Sequence, residues 1–577
     1  MDNNTIVNIG AQCFDKIREE DRFYIDKTGF IREWWETGSD VTLITRPRRF
    51  GKTLGMSMLE CFFSNRYAGR SDLFEGLEIW KETSPDGKAP LGKYNYRQIQ
   101  GTYPVIFLSF AGIKAASCDD MKYKMTEVVA NLYNDNIYLV QGTALTPNEK
   151  EYYESIKPGI EGKVVAGAVR QMATFMSRYY GKKVIILLDE YDTPMQEAWL
   201  GGYWDEAASF FKSFFDMTFK TNPYLHRGII TGITRISKES IFSDLNNLKV
   251  VSTTSEKYAT SFGFTEEEVF QALDDMGLGD QKQGVKQWYD GFTFGKYTDI
   301  YNPWSIASFI EEGGKYRPYW ANTNSNGLIN SLIQKGNKGI KQIFEILIKG
   351  GSFQAMIDEQ IVFNQLDGNT DAVWSLLLAT GYLKVVEVEI VGERKEMLYT
   401  LAITNLETRI MFENMVKGWF AGDTEIVYNE FIQAMLTNDV DYMNEFMNDI
   451  ALASFSNFDV AKSASSKDAP ERFYHGFVLG LIVVLSGRYV ISSNRESGFV
   501  RYDIMVKPTD KEKDYAYIIE FKVHRPGKEK DLKETLANAH KQIEERRYET
   551  ALIAEGFAPE RIRKYGFVFQ GKECLIG

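Results

Sequence analysis

The segment Val41–Leu59 sets the strictest limit on the fold of the N-terminal half. It reads VTLITRPRRFGKTLGMSML: a β-branched strand ends at Thr45, a turn containing proline and Gly51 follows, and Lys52-Thr53 opens an amphipathic helix. Backbone N–H groups at such a helix start have no intrahelical partner and can hold an anion. The order of strand, turn and helix therefore predicts a phosphate cradle.

Within this loop, Lys52 would reach the outer phosphates of a nucleotide and the Thr53 hydroxyl would bind magnesium. The usual pattern has a glycine five residues before Gly51, and this chain has Arg46 there, so we expect a different backbone path. A Gly-Lys-Thr tripeptide also occurs by chance at a helix start, and a second element is needed to favour the nucleotide interpretation. The predicted nucleotide contacts on the loop are Arg48, Arg49, Phe50, Gly51, Lys52, Thr53 and Leu54.

The second element is a strand that ends in two acidic residues. The apolar run VIILL is followed by Asp189-Glu190. Asp189 would hold the magnesium ion through water, and Glu190 would polarise the attacking water as a catalytic residue. The alternative, that each motif is an incidental feature at the end of a strand, explains either motif alone but does not explain why the chain has both. We therefore predict that the chain binds ATP with Mg²⁺ and hydrolyses it.

Another strand, GIITGITRI, reaches Thr231, Thr234 and Arg235. We predict that Thr231 contacts the nucleotide near the γ-phosphate and that Arg235 neutralises developing charge, and a structural role stays open for both. Arg227 is an alternative charge donor. Asp192 is interpreted as a turn or capping residue.

The pattern along the chain predicts an α/β multidomain protein. Up to about residue 255, apolar runs alternate with amphipathic stretches, which is typical of a P-loop-type parallel sheet with helices on both faces. The next region is helical and aromatic. Beyond it, a helix and two strands around the turn 392–395 resemble a winged helix, either a structural spacer or a DNA reader. The predicted domains are 1–255 (P-loop domain), 256–350 (helical lid), 351–460 (winged-helix-like connector) and 461–577 (small restriction-endonuclease-like α/β domain).

The last of these regions places acidic and basic side chains on one face of two strands. Asp503 lies in the first strand, and Glu520 and Lys522 are two apart in the second. Residues two apart in a strand point to the same side. If the strands pair, Asp503 and Glu520 could hold Mg²⁺ or Mn²⁺ against a phosphate, and Lys522 could orient the attacking water or stabilise the developing charge.

Two flanking residues complete this predicted site. Glu471 opens a helix upstream and could supply a third carboxylate for the metal, and Gln542 lies in a helix downstream that could face the same cleft. The alternative is that charges simply alternate with apolar residues in a half-exposed strand. The presence of one lysine and two acids on faces that a buried sheet would keep apolar weighs against it.

Composition limits the remaining choices. Only four histidines and four widely spaced cysteines occur, so a metal should be a hard cation held by carboxylates, and the cysteines should be reduced thiols of a cytoplasmic protein. No apolar run is long enough for a membrane span, and no secretion signal is expected. The net charge of −12 argues against a general nucleic-acid coat but allows a local basic contact face.

Several longer motifs resemble known families. The segments RPRRFGKTLGMSML, LLDEYDTP, TGITRISKESIFSDLNNL, WYDGFTFG, YNPWS and YWANTNSN resemble the AAA-ATPase-like family of bacteria and archaea. The segments ERFYHGFVLGL, SSNRESGFVRYDIMV and YIIEFKV are similar to the PD-(D/E)XK nuclease superfamily. This resemblance implies that Asp503, Glu520 and Lys522 are nuclease core residues with Glu471 and Gln542 beside them, although Tyr502 replaces the motif proline. It also implies that arginine at position 46 is usual.

These observations leave two main hypotheses of function. The first is an ATP-regulated, metal-dependent nuclease that acts on DNA, in defence or mobile-element biology. The alternative is a nucleotide-driven switch or scaffold whose C-terminal domain binds nucleic acid or protein without cleavage. A transcription regulator that uses the winged-helix-like segment is a third reading. Related ATPases commonly complete their sites between subunits, so a homo-oligomer is possible.

Overall fold

The computed structural model describes residues 6–81, 94–234, 241–242, 245–320, 329, 332–333, 338–348, 350–357, 370–418, 425–454, 478, 482, 485, 488–493, 496–497, 500–501, 503–525, 527–570 and 573–577. The chain forms two compact units, Met1–Met411 and Phe412–Gly577. None of the described helices is long and apolar enough to cross a membrane. The predicted four-domain division stays a prediction.

A five-stranded parallel sheet organises the first part of unit one. Its strands are β1 (Val41–Thr45), β2 (Val105–Ser109), β3 (Val184–Asp189), β4 (Leu225–Gly232) and β5 (Leu248–Val251), in the order β2-β3-β4-β1-β5. All residues of β1 and β3 are buried, as expected for parallel strands covered on both faces. The predicted α/β class and parallel sheet are therefore confirmed.

Helices surround this sheet and pack a core rich in aromatic residues. Trp34, Phe62 and Phe63 are each fully buried in that core. The helices are Phe14–Glu19, Gly29–Glu36, Lys52–Phe63, Tyr96–Ile99, Cys118–Asn134, Tyr138–Gln141, Pro147–Ser155, Gly162–Tyr180, Thr193–Leu200 and Trp204–Phe215, with a π-helical turn at Asp216–Lys220.

The next region combines helices with a small antiparallel sheet that the sequence pattern did not indicate. Strands β6 (Phe264–Thr265), β7 (Phe292–Phe294) and β8 (Tyr297–Tyr301) lie in the order β6-β8-β7. This region was expected to be helical and aromatic, but the Phe-Thr-Phe part of the motif WYDGFTFG is β7, because both phenylalanines bury on one side of an alternating strand. The described helices here are Glu266–Asp275, Lys282–Tyr289, Pro303–Glu311 and Lys338–Ile348.

The helix and the two strands predicted for the winged-helix-like segment are present, with one additional strand. Helix Thr370–Ala379 leads into the hairpin of β10 (Leu383–Val391) and β11 (Glu396–Ile403), and β9 (Ser352–Met356) pairs with β11. Helix Leu406–Gly418 follows, and the boundary between the two compact units falls inside it.

Unit two is built on a mixed five-stranded sheet with helices on both faces. Its order is β12-β15-β16-β17-β18, formed by Tyr489–Ser493, Ile504–Pro508, Ala516–Val523, Ile562–Gln570 and Glu573–Ile576, and the short pair β13 (Glu496–Ser497) and β14 (Val500–Arg501) stands apart. Helices Glu425–Thr437 and Val440–Ser454 supply core residues to one face. Helices Leu532–Glu545 and Glu549–Ala554 pack on the other.

Candidate functional sites

The loop after β1 has the backbone of an anion cradle. Arg49 and Gly51 both have left-handed backbone, with φ of 66° and 79°. A Cβ added at Gly51 would meet no atom within 4 Å, so the space beside the loop is open. Gly51 immediately precedes helix Lys52–Phe63, whose first N–H groups have no intrahelical partner. The loop therefore offers oriented donors and room for a phosphate.

Arg46 shows how the loop is built without its usual first glycine. Its side chain is fully buried, and its guanidinium donates to the carbonyls of Thr45, Ser252, Lys257 and Tyr258. It also lies 4.5 Å from the centre of the Phe294 ring. Burial lowers the pKa of Arg46 to about 9. The Arg46 side chain therefore links the start of the loop to the segment 252–258.

Lys52 lies at the centre of the loop. Its Nζ donates to the carbonyl oxygens of Arg46 at 2.9 Å and Pro47 at 2.8 Å. An ammonium has three N–H donors, so one is left for an anion. Burial lowers its pKa to about 8, opposed by the charges of Asp189 and neighbouring acids. The two carbonyls fix the ammonium at the place where phosphate oxygens would enter.

Asp189 connects the loop helix to the next strand. Its carboxylate accepts a hydrogen bond from the Thr53 hydroxyl at 2.6 Å and another from the Thr231 hydroxyl. Asp189 is buried at 1% exposure, and its strand β3 lies between β2 and β4. Hydroxyl and carboxylate oxygens are the ligands that Mg²⁺ prefers. The three residues predicted separately thus meet at one point.

Glu190 follows Asp189 in a left-handed conformation, with φ of 53°. The Thr193 hydroxyl donates to its carboxylate at 3.2 Å. Burial and the neighbouring Asp189 raise the pKa of Glu190. A half-buried carboxylate beside the predicted magnesium ligands is suited to polarise a water molecule.

Asp192 stands at the N-cap of helix Thr193–Leu200, but its side chain makes no capping hydrogen bond there. One of its carboxylate oxygens accepts from the backbone N–H groups of Ile233 and Thr234 and from the Thr234 hydroxyl, each at 2.9 Å. It therefore ties the loop after β3 to the chain leaving β4. Arg235, the next residue, lies outside the described residues, so its predicted role stays a prediction.

The other loop residues take different positions. Arg48 is exposed, and the Arg49 guanidinium lies 4.0 Å above the Trp304 ring. The Phe50 side chain is buried against β7, 4.8 Å from the Phe292 ring, and Leu54 packs at the edge of the same core. Phe50 and Leu54 can therefore contribute backbone N–H groups to a ligand, while their side chains stabilise the loop.

The second site forms where β15 and β16 pair. Ile504 lies opposite Ile519, which places Asp503 at the level of Glu520, and the Phe521 N–H donates to the Asp503 carboxylate at 2.8 Å. Glu520 is 2% exposed, and Lys522 Nζ lies 3.4 Å from its Oε1. The three predicted residues therefore lie close together where β15 begins beside the central strand β16.

Gln542 lies between the charged residues of this site. Its Oε1 accepts from Lys522 Nζ at 2.6 Å, and its Nε2 donates to Glu520 Oε1 and to the Tyr548 hydroxyl. Gln542 comes from helix Leu532–Glu545, which packs against β16 and β17. Glu471 lies outside the described residues.

This donor set suits a hard divalent cation. Two carboxylates, Asp503 and Glu520, stand next to a lysine whose side chain is 27% exposed. Carboxylate oxygens select Mg²⁺ or Mn²⁺, and the lysine supplies a positive charge for a phosphate without binding the metal. The combination fits phosphodiester chemistry.

Three residues near the first site were missed by the sequence analysis. Asn302 and Trp320 donate side-chain hydrogen bonds to the Arg48 carbonyl, and Glu407 accepts from the Trp320 backbone N–H. Asn302 and Trp320 lie in the motifs YNPWS and YWANTNSN, which were noted but given no role. Glu407 lies in none of the motifs noted in the sequence, and only the fold brings it close to the residues that contact the phosphate loop.

Comparison with known proteins agrees with this geometry. A family model described as predicted AAA-ATPase matches residues 8–242, and a model of the PD-(D/E)XK nuclease superfamily matches residues 469–577. An uncharacterized protein in the vnfD 5' region of Azotobacter chroococcum mcd 1 is 25% identical over 403 residues, covering 70% of this chain and 68% of that protein.

Among solved structures, a Signal Transduction ATPase with Numerous Domains (STAND) protein with a tetratricopeptide repeat sensor from Pyrococcus horikoshii is 14% identical, with a TM-score of 0.22. The match covers 79% of this chain, and the chain spans about half, 53%, of that structure. By the two family models, residues 8–242 form a predicted AAA-ATPase domain and residues 469–577 form a PD-(D/E)XK nuclease superfamily domain.

Proposed function

We propose that this protein binds and hydrolyses ATP and that its nucleotide state controls a metal-dependent nuclease acting on DNA. The observation that carries the proposal is that one chain holds both sets of side chains: Thr53 bonded to Asp189, and Asp503 beside Glu520 and Lys522. The first set fits a nucleotide with magnesium, and the second fits a phosphodiester with Mg²⁺ or Mn²⁺.

In the ATPase half, each residue has a distinct task. Lys52 would bind the outer phosphates, and Thr53 and Asp189 would hold the magnesium ion. Glu190 would orient the water that attacks the γ-phosphorus, and Thr231 would report the state of that phosphate through its bond to Asp189.

In the nuclease half, Asp503 and Glu520 would hold the metal ion, which lowers the pKa of bound water and polarises the phosphate. Lys522 would orient the attacking water or stabilise the charge that develops on the phosphate oxygens. Gln542 would keep Lys522 and Glu520 apart at a fixed distance. Glu471 and Arg235 remain proposed members of the two sites.

The ATPase part is tested by nucleotide binding and turnover. We expect Lys52→Ala to weaken ATP binding about 10- to 100-fold, because a charge-assisted hydrogen bond is lost. We expect Glu190→Gln to keep binding and to lower kcat by about 10²- to 10⁴-fold, the usual range for a general base. Lys183→Ala, at an exposed lysine just before β3, is the matched control. Unchanged turnover in Glu190→Gln would contradict the assignment.

The alternative function, a nucleotide-driven switch or scaffold, makes a different prediction for the same protein. It requires ATP-dependent change in assembly or partner binding with no cleavage of any nucleic acid. Sedimentation with ATP, with ADP and without nucleotide measures whether the chain forms a homo-oligomer. A role in defence or mobile-element biology belongs to the nuclease proposal only.

A further inference from the structure

The outer side of the phosphate loop is covered by residues from the regions that follow the parallel sheet. Gly381, in the turn after helix Thr370–Ala379, comes so close to Pro47 that an added Cβ would lie 2.8 Å from the proline ring. The neighbouring Tyr382 ring is 5.3 Å from the Trp320 ring. The winged-helix-like segment therefore packs directly on the loop.

Two side chains hold the loop through one backbone oxygen. The Arg48 carbonyl accepts from Trp320 Nε1 at 3.1 Å and from Asn302 Nδ2 at 3.3 Å. Arg48 stands between Pro47 and the left-handed Arg49, at the turn that sets the direction of the following N–H groups. Fixing this carbonyl fixes the orientation of the cradle.

Glu407 connects the two side chains. It is fully buried, and its carboxylate accepts from the Trp320 backbone N–H at 2.6 Å and from the Ser305 hydroxyl at 2.9 Å. Ser305 lies in the helix that Asn302 caps through its Oδ1. A buried carboxylate requires such donors, because its charge would otherwise be poorly solvated. Glu407 thus orders both the segment that contains Trp320 and the helix that Asn302 caps.

We propose that Glu407, Trp320 and Asn302 are positioning residues for the phosphate loop and that they couple nucleotide binding to helix Leu406–Gly418. The inference rests on the proposed nucleotide site and adds its regulation. Coupling is reciprocal: if the helix stabilises the loop for ATP, then bound ATP stabilises the helix by the same free energy. Because this helix contains the boundary between the two compact units, nucleotide occupancy reaches the start of unit two.

Two substitutions remove the contacts to the Arg48 carbonyl while leaving their surroundings in place. Trp320→Phe loses the Nε1 donor but keeps the backbone N–H for Glu407. Asn302→Asp keeps the capping oxygen and loses the Nδ2 donor. We expect each substitution to weaken the binding of a fluorescently labelled ATP analogue by about threefold to tenfold, because one buried hydrogen bond is lost.

The second readout is amide exchange of residues 406–411 with and without ATP. In the wild type, ATP is expected to slow exchange there, and in both variants this protection is expected to be lost. A merely structural role would lower the melting temperature without changing the response to ATP. Glu407→Gln, which retains an acceptor, is expected to lie between the wild type and Glu407→Ala.

Trp288→Phe is the matched control, because the Trp288 ring packs in the neighbouring helical cluster, 5.6 Å from Tyr316. Affinity within twofold of the wild type in both Trp320→Phe and Asn302→Asp, with helix protection retained, would overturn the coupling alone. Absence of ATP binding by the wild type would overturn the proposed nucleotide site and, with it, this inference.

Discussion

At the scale of single residues, Gln542 makes the sharpest prediction in the nuclease site. Gln542 makes hydrogen bonds to both Lys522 and Glu520, so Gln542→Leu roughly keeps the side-chain volume but removes both hydrogen bonds. We expect metal-dependent cleavage to fall about 10- to 100-fold, the usual effect of losing a group that orients metal ligands. The same change at exposed Gln283 is the control. Cleavage at the wild-type rate in Gln542→Leu would remove this residue from the site.

Asp290 makes a prediction about pH. Burial and a hydrogen bond with Asp299 raise its pKa from 3.8 to about 7. The unfolded chain therefore ionises at lower pH than the folded chain, and this group increasingly destabilises the fold as pH rises from about 4 to about 7. Asp290→Asn removes that penalty. The melting temperature of Asp290→Asn should exceed that of the wild type by a larger margin at pH 7.5 than at pH 5.

Thermal unfolding at both pH values measures this difference, and Asp280→Asn at an exposed aspartate serves as the control. An equal gain at pH 5 and pH 7.5 would show that Asp290 does not titrate as described.

Some residue positions could be predicted from sequence and others could not. Lys52, Thr53, Asp189, Glu520 and Lys522 lie at fixed distances from strand ends or within one strand, and local periodicity is enough to group them. The packing of Arg46 against carbonyls far along the chain has no such local sign. From its place in the motif we expected only a different backbone path, and the fold shows that its side chain donates to four backbone carbonyls.

At the scale of elements, the turn at Gly381 tests how closely the winged-helix-like segment packs on the phosphate loop. Gly381 has φ of 85°, and a Cβ there would lie 2.8 Å from Pro47. We expect Gly381→Ala to destabilise unit one by about 2–4 kcal/mol, about 1 from the backbone and the rest from the clash. Urea unfolding measures this change.

Gly392, at the tip of the β10–β11 hairpin, is the matched control. It has φ of 68° and nothing within 4 Å of an added Cβ, so Gly392→Ala should cost only the backbone term of about 1 kcal/mol. Equal losses of unfolding free energy in the two variants would mean that the turn at Gly381 does not pack tightly against the phosphate loop.

The elements also show where sequence patterns fail. The three strands named in the sequence, which end at Thr45, at Asp189 and in GIITGITRI, all belong to the parallel sheet, since such apolar runs are regular. Strand β7 was missed because three residues within an aromatic stretch carry too little periodicity, and β9 was missed because its pairing with β11 is set by contacts distant in sequence.

At the scale of the whole molecule, the two candidate sites lie in different compact units. Lys52 and Asp189 belong to unit one, and Asp503 and Glu520 belong to unit two. One route for the proposed control of cleavage by nucleotide runs along the chain through helix Leu406–Gly418, which contains the boundary between the two units.

The central claim is that nucleotide state controls cleavage. The direct measurement is cleavage of plasmid and linear DNA by the purified protein with Mg²⁺ or Mn²⁺, with and without ATP, beside Glu520→Ala and Lys52→Ala. We predict cutting that is lost in Glu520→Ala and whose response to ATP is lost in Lys52→Ala. Cutting that persists in Glu520→Ala, or no cutting under any condition while ATP is hydrolysed, would contradict the account.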